Sequence, residues 1–207
     1  MASSTRKNHH DPNCVCNKCP TPKPMVNECE LNYQNIVNLL DSIILLIVGN
    51  EPYPSGSNGI AFCKNTWPEL MDGRCGGRYL LCSLGVDLCK AQDNYSSPVD
   101  LFVKMAKEKI VFVNQNDEFL YECLKKNINV ARSCGSNILE TIKKNIEGKV
   151  SNYEHFDRHP FPQGETNPPD INGNWFKYWG KYEKLLNILE PSGSDPIHTI
   201  INNINSL

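Results

Sequence analysis

The chain has 207 residues, of which 40% are hydrophobic, 9% aromatic and 21% charged. This length suits a single domain with enough chain to bury a sizeable core, and the composition is that of an ordinary soluble globular protein. A formal net charge of −2 argues against a broadly basic nucleic-acid coat. It still allows a local basic cleft, because phosphate contacts need only a few well-placed donors.

Two features of the sequence bear on the expected location of the protein. The longest apolar run, residues 43–48, is far too short to cross a membrane. The first ten residues are polar and basic, without the apolar segment of a secretory signal. We therefore expect an intracellular protein, in the cytoplasm or nucleus, without membrane contact and with its ten cysteines mainly as thiols.

Residues 1–24 are polar and proline-punctuated, which predicts a flexible tail. The cysteines in and just after this segment are Cys14, Cys16, Cys19 and Cys29. The pair Cys16 and Cys19 is compatible with zinc, but the spacing of the four fits no standard site, so free thiols are the favoured interpretation and metal binding stays open.

Residues 25–190 are predicted to form one α/β domain. A β-branched and leucine-rich run over residues 44–48 indicates a strand buried on both faces. Further strands are predicted over residues 109–114 and 127–134. The apolar spacing predicts helices over residues 26–40, 79–85, 98–107, 138–144 and 174–189.

Two parts of this pattern need comment. The aromatic side chains of residues 174–189 interleave with lysines, which is typical either of base stacking or, as we favour, of a core-facing stripe. Residues 191–207 are rich in Ser, Asn and Pro and are predicted to be a loosely held terminus. The cysteines at positions 63, 75, 82 and 89 are expected to be small buried or semi-buried hydrophobes.

The turn after the first strand carries the most specific motif. Its residues 49–54 read Gly-Asn-Glu-Pro-Tyr-Pro, and Phe62 follows in Gly-Ile-Ala-Phe. This segment resembles the first motif of family-1 uracil-DNA glycosylases, in the variant that poxviral relatives carry. The prolines on either side of Tyr53 restrict the backbone, so that the side chains of Glu51 and Tyr53 are held in defined orientations. In this motif Glu51 stands where the family has Asp, and Asn50 belongs to the base-binding set.

Three later segments are similar to the family's motifs in the same order. Asn114 ends the second predicted strand, and Gly135 and Ser136 precede a helix. In the family that Gly-Ser pair leads a helix whose amides hold a DNA phosphate; an ordinary N-cap by Ser136 is the alternative. Residues 158–163 resemble the family's His-Pro loop, in which His159 takes the histidine position. The positions that contact the DNA backbone or insert as a wedge would then be Pro160, Phe161 and Gln163.

The resemblance implies a three-layer α/β/α fold around a mostly parallel four-stranded sheet, with the site at the strand ends. It also implies that Phe62 stacks on a flipped base and Asn114 bonds its edge, while Tyr53 excludes thymine's methyl group. Glu51 would orient water and stabilise charge on the sugar, and His159 would donate to O2 of the departing uracil. His155 is a weaker candidate for the role of His159.

The predicted function is thus monofunctional removal of uracil from DNA by a monomer, without metal or organic cofactor. Two alternatives stay open. The Glu51 substitution, together with Phe161 and Gln163 in place of the Ser and Leu of the family's His-Pro loop, also suits a glycosylase for a modified base in viral DNA. A catalytically weak DNA-binding or partner-docking module on the same fold would need no working carboxylate.

Overall fold

The computed structural model describes residues 28–51, 57–72, 75–135, 137–156 and 196–206. Its centre is a four-stranded parallel sheet in the order β2-β1-β3-β4. The strands are β1 (Ser42–Gly49), β2 (Ile110–Asn114), β3 (Asn127–Cys134) and β4 (Tyr153–Phe156). Helices flank the sheet, which confirms the predicted α/β class and three-layer arrangement, with all described strands parallel.

The helices of the described ranges connect or cover these strands. They are α1 (Glu28–Asn38), α2 (Trp67–Met71), α3 (Gly76–Ser83), α4 (Leu88–Asn94), α5 (Pro98–Lys107), α6 (Phe119–Cys123), α7 (Glu140–Glu147) and α8 (Pro196–Asn205). None of them combines the length and apolar character that a membrane-spanning helix requires.

Strand β1 lies at the centre of the core. It pairs with β2 from Leu45 to Gly49 and with β3 from Ser42 to Val48. Its last five residues are all buried, because helices cover both faces of a parallel sheet. The uninterrupted apolar run of the sequence is thus explained by its two neighbours and two covered faces.

The outer edge of β2 is closed by α1. The backbone N–H of Phe112 donates to the hydroxyl of Tyr33 at 2.7 Å, and burial raises the pKa of that hydroxyl above its ordinary value. Behind the strand, the Phe102 ring from α5 packs on Phe112 with centroids 4.7 Å apart. This cover protects a strand edge that would otherwise present unpaired backbone groups to solvent.

The C-terminal segment differs from its prediction. Residues 196–205 form α8, whose isoleucines are buried, so the prediction of a loosely held terminus is wrong for this part: Ile197, Ile200, Ile201 and Ile204. The Asn205 carboxamide fastens the helix end, accepting from Asp87 N and donating to Gly85 O, both at 2.9 Å. The polar composition of the segment concealed an i, i+3, i+4, i+7 apolar stripe.

None of the cysteines within the described ranges is joined in a disulfide. Cys63 and Cys75 are buried and Cys82 is half-buried, as predicted, whereas Cys89 is exposed. Cys89 lies in the first turn of α4, on the side of that short helix away from the core residues Leu88 and Ala91. The tail 1–24 and the helix predicted over 174–189 lie outside the described residues.

Candidate functional site

The carboxyl ends of the strands bring together the segments that the sequence singled out. Gly49 at the end of β1 is level with Asn114 at the end of β2, and Val48 is level with Ser133 near the end of β3. From β1 the chain continues to β2, and from β3 it continues to β4, so the two connections run in opposite directions across the sheet. Ligands of open parallel sheets bind at such a reversal, beyond the carboxyl ends of the strands.

Asn114, at the end of the outer strand β2, is a buried polar group of this edge. Its side chain is only 2% exposed, and its Nδ2 donates to the carbonyl oxygen of Gly59 at 3.1 Å. Its Oδ1 is buried and accepts no hydrogen bond from any described residue. An unsatisfied buried acceptor destabilises a protein by about 1–3 kcal/mol, so this oxygen marks a position where a donor from a ligand would be stabilising.

Phe62 lies beside that oxygen. Its ring is 6% exposed, and a methyl group placed on Gly49 would lie 3.1 Å from the ring Cε2 and 3.3 Å from Asn114 Oδ1. The absence of a side chain on Gly49 therefore leaves room for an aromatic ring and an amide oxygen to approach the end of β1 together. The predicted stacking ring and the predicted polar edge are adjacent in space.

The backbone of Phe62 is held in an unusual conformation. Its φ of +63° lies in the left-handed region, which bulky residues rarely adopt and which persists only where surrounding structure enforces it. A Cβ on Gly77 would come within 1.9 Å of the Phe62 carbonyl oxygen, so the start of α3 packs directly against this backbone. The Phe62 backbone is thus fixed, and its side chain is packed in a residue that is only 6% exposed.

The fully buried Asn58 stabilises the turn before Phe62 through hydrogen bonds. Asn58 Oδ1 accepts from Ile60 N at 3.1 Å, and Nδ2 donates to the Cys63 sulfur at 3.3 Å. Burial raises the pKa of the Cys63 thiol to about 12, so the thiol stays protonated at neutral pH. These contacts fix the Gly59 carbonyl that orients Asn114.

Gln115 was not predicted from the sequence as a site residue. It is 6% exposed, and its Nε2 donates to Asn50 Oδ1 and to the Asn137 carbonyl oxygen, the latter at 3.1 Å. Its Oε1 accepts from Leu139 N at 2.9 Å. The available signal was a second amide directly after the strand-ending Asn114; its partners could not be identified from the sequence.

Asn50 and Glu51 follow β1 directly. Asn50 is half-buried and its carboxamide oxygen accepts from Gln115, while Glu51 is exposed. Gly135, with a φ of +117°, follows β3, and a Cβ on it would lie 3.6 Å from Asn50 Cβ. The structure therefore places Asn50, Phe62, Asn114 and Gly135 at one edge, with Glu51 next to them in the chain.

The helix after β3 begins later than predicted. Helix α7 starts at Glu140 with Leu139 as its N-cap, so the N-cap is not Ser136. The Leu139 N–H already donates to Gln115, and Glu140 places a carboxylate in the first turn, where a second anion is disfavoured. A phosphate contact by Gly135 stays a prediction. The Leu139 side chain is 56% exposed at this edge.

His155 lies on the other side of the sheet from Asn114. It is level with Ser133 and Val48, one residue before the level of Gly49 and Asn114, and successive side chains of a strand point to opposite faces. Its Nδ1 is 2.6 Å from Ser133 Oγ, which is 2.8 Å from Tyr153 OH. The register thus places His155 on the face opposite to Asn114, and its weaker candidacy for the role of His159 stays a prediction that this geometry does not support.

Several predicted site residues lie outside the described ranges. These are Tyr53, Ser136, His159, Pro160, Phe161 and Gln163, so their roles stay predictions. Of the four cysteines considered for metal, the described one is Cys29, a half-buried thiol in the first turn of α1. No group of three or more His, Cys, Asp or Glu side chains in the described ranges could hold a metal ion.

Comparison with known proteins adds no relative to this geometry. No protein-family model, no curated protein and no solved structure matches the chain.

Proposed function

We propose that the protein is a monofunctional DNA glycosylase that extrudes uracil from DNA and hydrolyses its N-glycosidic bond. The observation that supports this most strongly is the pairing of the buried Asn114 Oδ1, which no described residue satisfies, with the Phe62 ring beside it. A flipped base needs an aromatic face to stack on and a polar group to read its edge. Both stand at the carboxyl edge of a parallel sheet, where ligands bind.

The orientation of the Asn114 amide favours a base with an N–H at its edge. The Gly59 carbonyl oxygen takes one Nδ2 hydrogen, which directs Oδ1 toward Gly49 and Phe62. The oxygen can accept from N3–H of uracil, and the second Nδ2 hydrogen is available for the neighbouring O4. Cytosine presents an acceptor at N3 and would leave this oxygen unsatisfied.

Glu51 is the proposed catalytic carboxylate. It lies at the end of β1, two residues beyond Gly49, and is exposed to solvent, where an attacking water molecule is available. A carboxylate there can orient that water and stabilise the positive charge that develops on the sugar as the glycosidic bond breaks. As the glycosidic bond breaks, negative charge develops on O2 of the departing uracil. His159 is proposed as the hydrogen-bond donor to this oxygen.

Tyr53 completes the proposal as the group that excludes thymine. Its ring would fill the space next to C5 of the base, where thymine carries a methyl group. The matched motifs place no lysine at a nucleophilic position, so the proposed reaction is hydrolysis by water rather than lyase chemistry. The proposed partner is DNA, and the proposed active form is a monomer.

A base-release assay tests this function. The full chain, produced in a host that lacks uracil-excising enzymes, would be incubated with matched oligonucleotides containing uracil, thymine, hypoxanthine or 5-hydroxymethyluracil, as single and double strands. We expect release of uracil and no release of thymine. Release of a modified base without uracil would favour the modified-base glycosylase, and DNA binding without any release would favour the non-catalytic module.

A further inference from the structure

We infer that Gln115 is a positioning residue that holds Asn50 and the turn Asn137–Leu139 in register with the base-binding edge. Its effect on catalysis rests on the proposed glycosylase function, whereas its effect on the geometry of these two segments does not. The residue lies between the segments that follow β1 and β3, and it belongs to neither.

The contacts of the Gln115 carboxamide are long-range in sequence. They reach Asn50 at a separation of 65 residues, Asn137 at 22 and Leu139 at 24. One planar amide thus joins the ends of three strands: β2, which carries it, and β1 and β3, whose following segments it contacts. Gln115 itself is 6% exposed, and its three side-chain bonds are partly buried, so water competes for them less than at an open surface.

The backbone of Gln115 is itself fixed. Its N–H donates to the Gly49 carbonyl oxygen at 2.9 Å, which extends the pairing of β1 and β2 by one residue. The preceding residue, Asn114, sends its side chain to Gly59 and toward Phe62. Two consecutive amides therefore hold separate parts of the edge: Asn114 the segment before Phe62, and Gln115 the segments at Asn50 and Leu139.

The position of Asn50 explains why this contact matters. Asn50 directly precedes Glu51, the proposed catalytic carboxylate. Gly135 lies against Asn50 from the other side, with only 3.6 Å to a Cβ added on it. If the bond from Gln115 is lost, Asn50 loses a constraint and Glu51 shifts with it. A displacement of about 1 Å lowers the rate of an enzyme about a hundredfold.

The test compares two substitutions at Gln115 with a matched control. Gln115→Leu removes all side-chain bonds at similar size, and Gln115→Glu keeps the acceptor for Leu139 N but loses the donors to Asn50 and Asn137. Gln92→Leu makes the same change at an exposed position of α4. The measured quantities are the single-turnover rate of uracil release at saturating enzyme and the dissociation constant for uracil-containing DNA.

We expect Gln115→Leu to release uracil about tenfold to a hundredfold more slowly, with Gln115→Glu at least as slow and Gln92→Leu unchanged. The dissociation constant should change less than the rate. In a double-mutant cycle, Asn50→Ala and Gln115→Leu together should cost less than the sum of their single effects, because both changes remove the same contact. Additive effects, or a Gln115→Leu rate equal to that of Gln92→Leu, would overturn the inference.

Hydrogen exchange provides a test that does not depend on base release. In Gln115→Leu, the Leu139 amide should lose its protection while the amides of the β1 core keep theirs. If the wild-type protein releases no base, the proposed function fails, and this measurement alone decides the role of Gln115. Unchanged protection of Leu139 would refute the positioning role. If Gln115→Leu does not fold, Gln115→Met, which also lacks the acceptor for Leu139 N, takes its place in this comparison.

Discussion

Polar groups at the amino ends of the strands are hydrogen-bonded in a different way from those at the carboxyl ends. We call these two ends of the sheet the amino edge and the carboxyl edge. At the amino edge, Lys126 Nζ donates to the carbonyl oxygens of Asn38 and Leu40 at 3.1 and 2.8 Å, and Lys109 Nζ donates to Ser42 Oγ at 3.2 Å. These are long, partly exposed side chains. At the carboxyl edge, backbone groups are instead hydrogen-bonded by the short, buried amide side chains of Asn58, Asn114 and Gln115.

This difference supports the proposal that the carboxyl edge is the binding edge. Flexible lysines at the surface satisfy backbone carbonyls without fixing their neighbours, and each such contact is weak. Buried amides fix position and orientation, but every one of their polar atoms needs a partner. At the carboxyl edge the Asn114 oxygen is buried without a partner among the described residues, and Phe62 is held in a strained backbone conformation beside it. Natural proteins keep such features chiefly at functional sites.

The largest expected effect belongs to Glu51 at the carboxyl edge. Glu51→Gln removes the charge and keeps the size, and we expect uracil release to slow about a hundredfold to ten-thousandfold, as for loss of a general base. Stability should not change, because Glu51 is exposed. Single-turnover kinetics measure the rate, and Glu118→Gln, at another exposed position, is the control. A fast Glu51→Gln enzyme would remove Glu51 from the mechanism.

The next effect concerns stability alone and lies in α8. Ile201→Ala, at a side chain 2% exposed, should lower the free energy of unfolding by about 2–5 kcal/mol. Urea denaturation measures it, with the exposed Asn202→Ala of the same helix as control. Base release by the folded variant should match the wild type. A variant as stable as the control would show that α8 does not pack as described.

A smaller effect is expected from filling the space between the ring and the amide. Gly49→Ala places a methyl group 3.1 Å from the Phe62 ring and 3.3 Å from Asn114 Oδ1, and a shift of either group should slow uracil release about tenfold. Gly148→Ala is equally crowded, 3.2 Å from the Lys144 carbonyl oxygen, but lies at the end of α7. If both variants release uracil alike, the crowded space is not the base site.

The smallest effect is expected at the amino edge. Lys126→Met removes the two bonds to the carbonyls of Asn38 and Leu40 and should lower the free energy of unfolding by about 1 kcal/mol or less. Uracil release should be unchanged, because the residue lies at the opposite end of the sheet. A loss of release in the absence of a loss of stability would contradict the assignment of function to the carboxyl edge alone.

The sequence predicts the scaffold better than the site. Helix α5 and strand β3 have their predicted bounds, Pro98–Lys107 and Asn127–Cys134. In α5 the cause is local: Ser97 caps the helix by accepting from Asp100 N at 3.3 Å, and Pro98 occupies its first position. Five-residue helices such as α2 and α6 carry too few turns for a periodic signal and were not predicted.

The site is defined by contacts between distant segments, and these limit prediction. The sequence indicates that Phe62 and Asn114 belong together through a resemblance of ordered motifs, and their adjacency in space agrees with that order. The bonds of Gln115 to residues 22 to 65 positions away leave no local pattern. The late start of α7 was also missed, because Leu139 is held by Gln115 rather than by a helix-capping side chain.

The most direct measurement concerns Asn114. Asn114→Leu removes one hydrogen bond to Gly59 together with a buried acceptor that lacks a partner among the described residues, so the free energy of unfolding should change by only about 1 kcal/mol. Single-turnover release of uracil should nevertheless slow by about a hundredfold or more, because the edge reader of the base is lost. A stable Asn114→Leu variant that releases uracil at the wild-type rate would contradict the placement of the base site between Phe62 and Asn114.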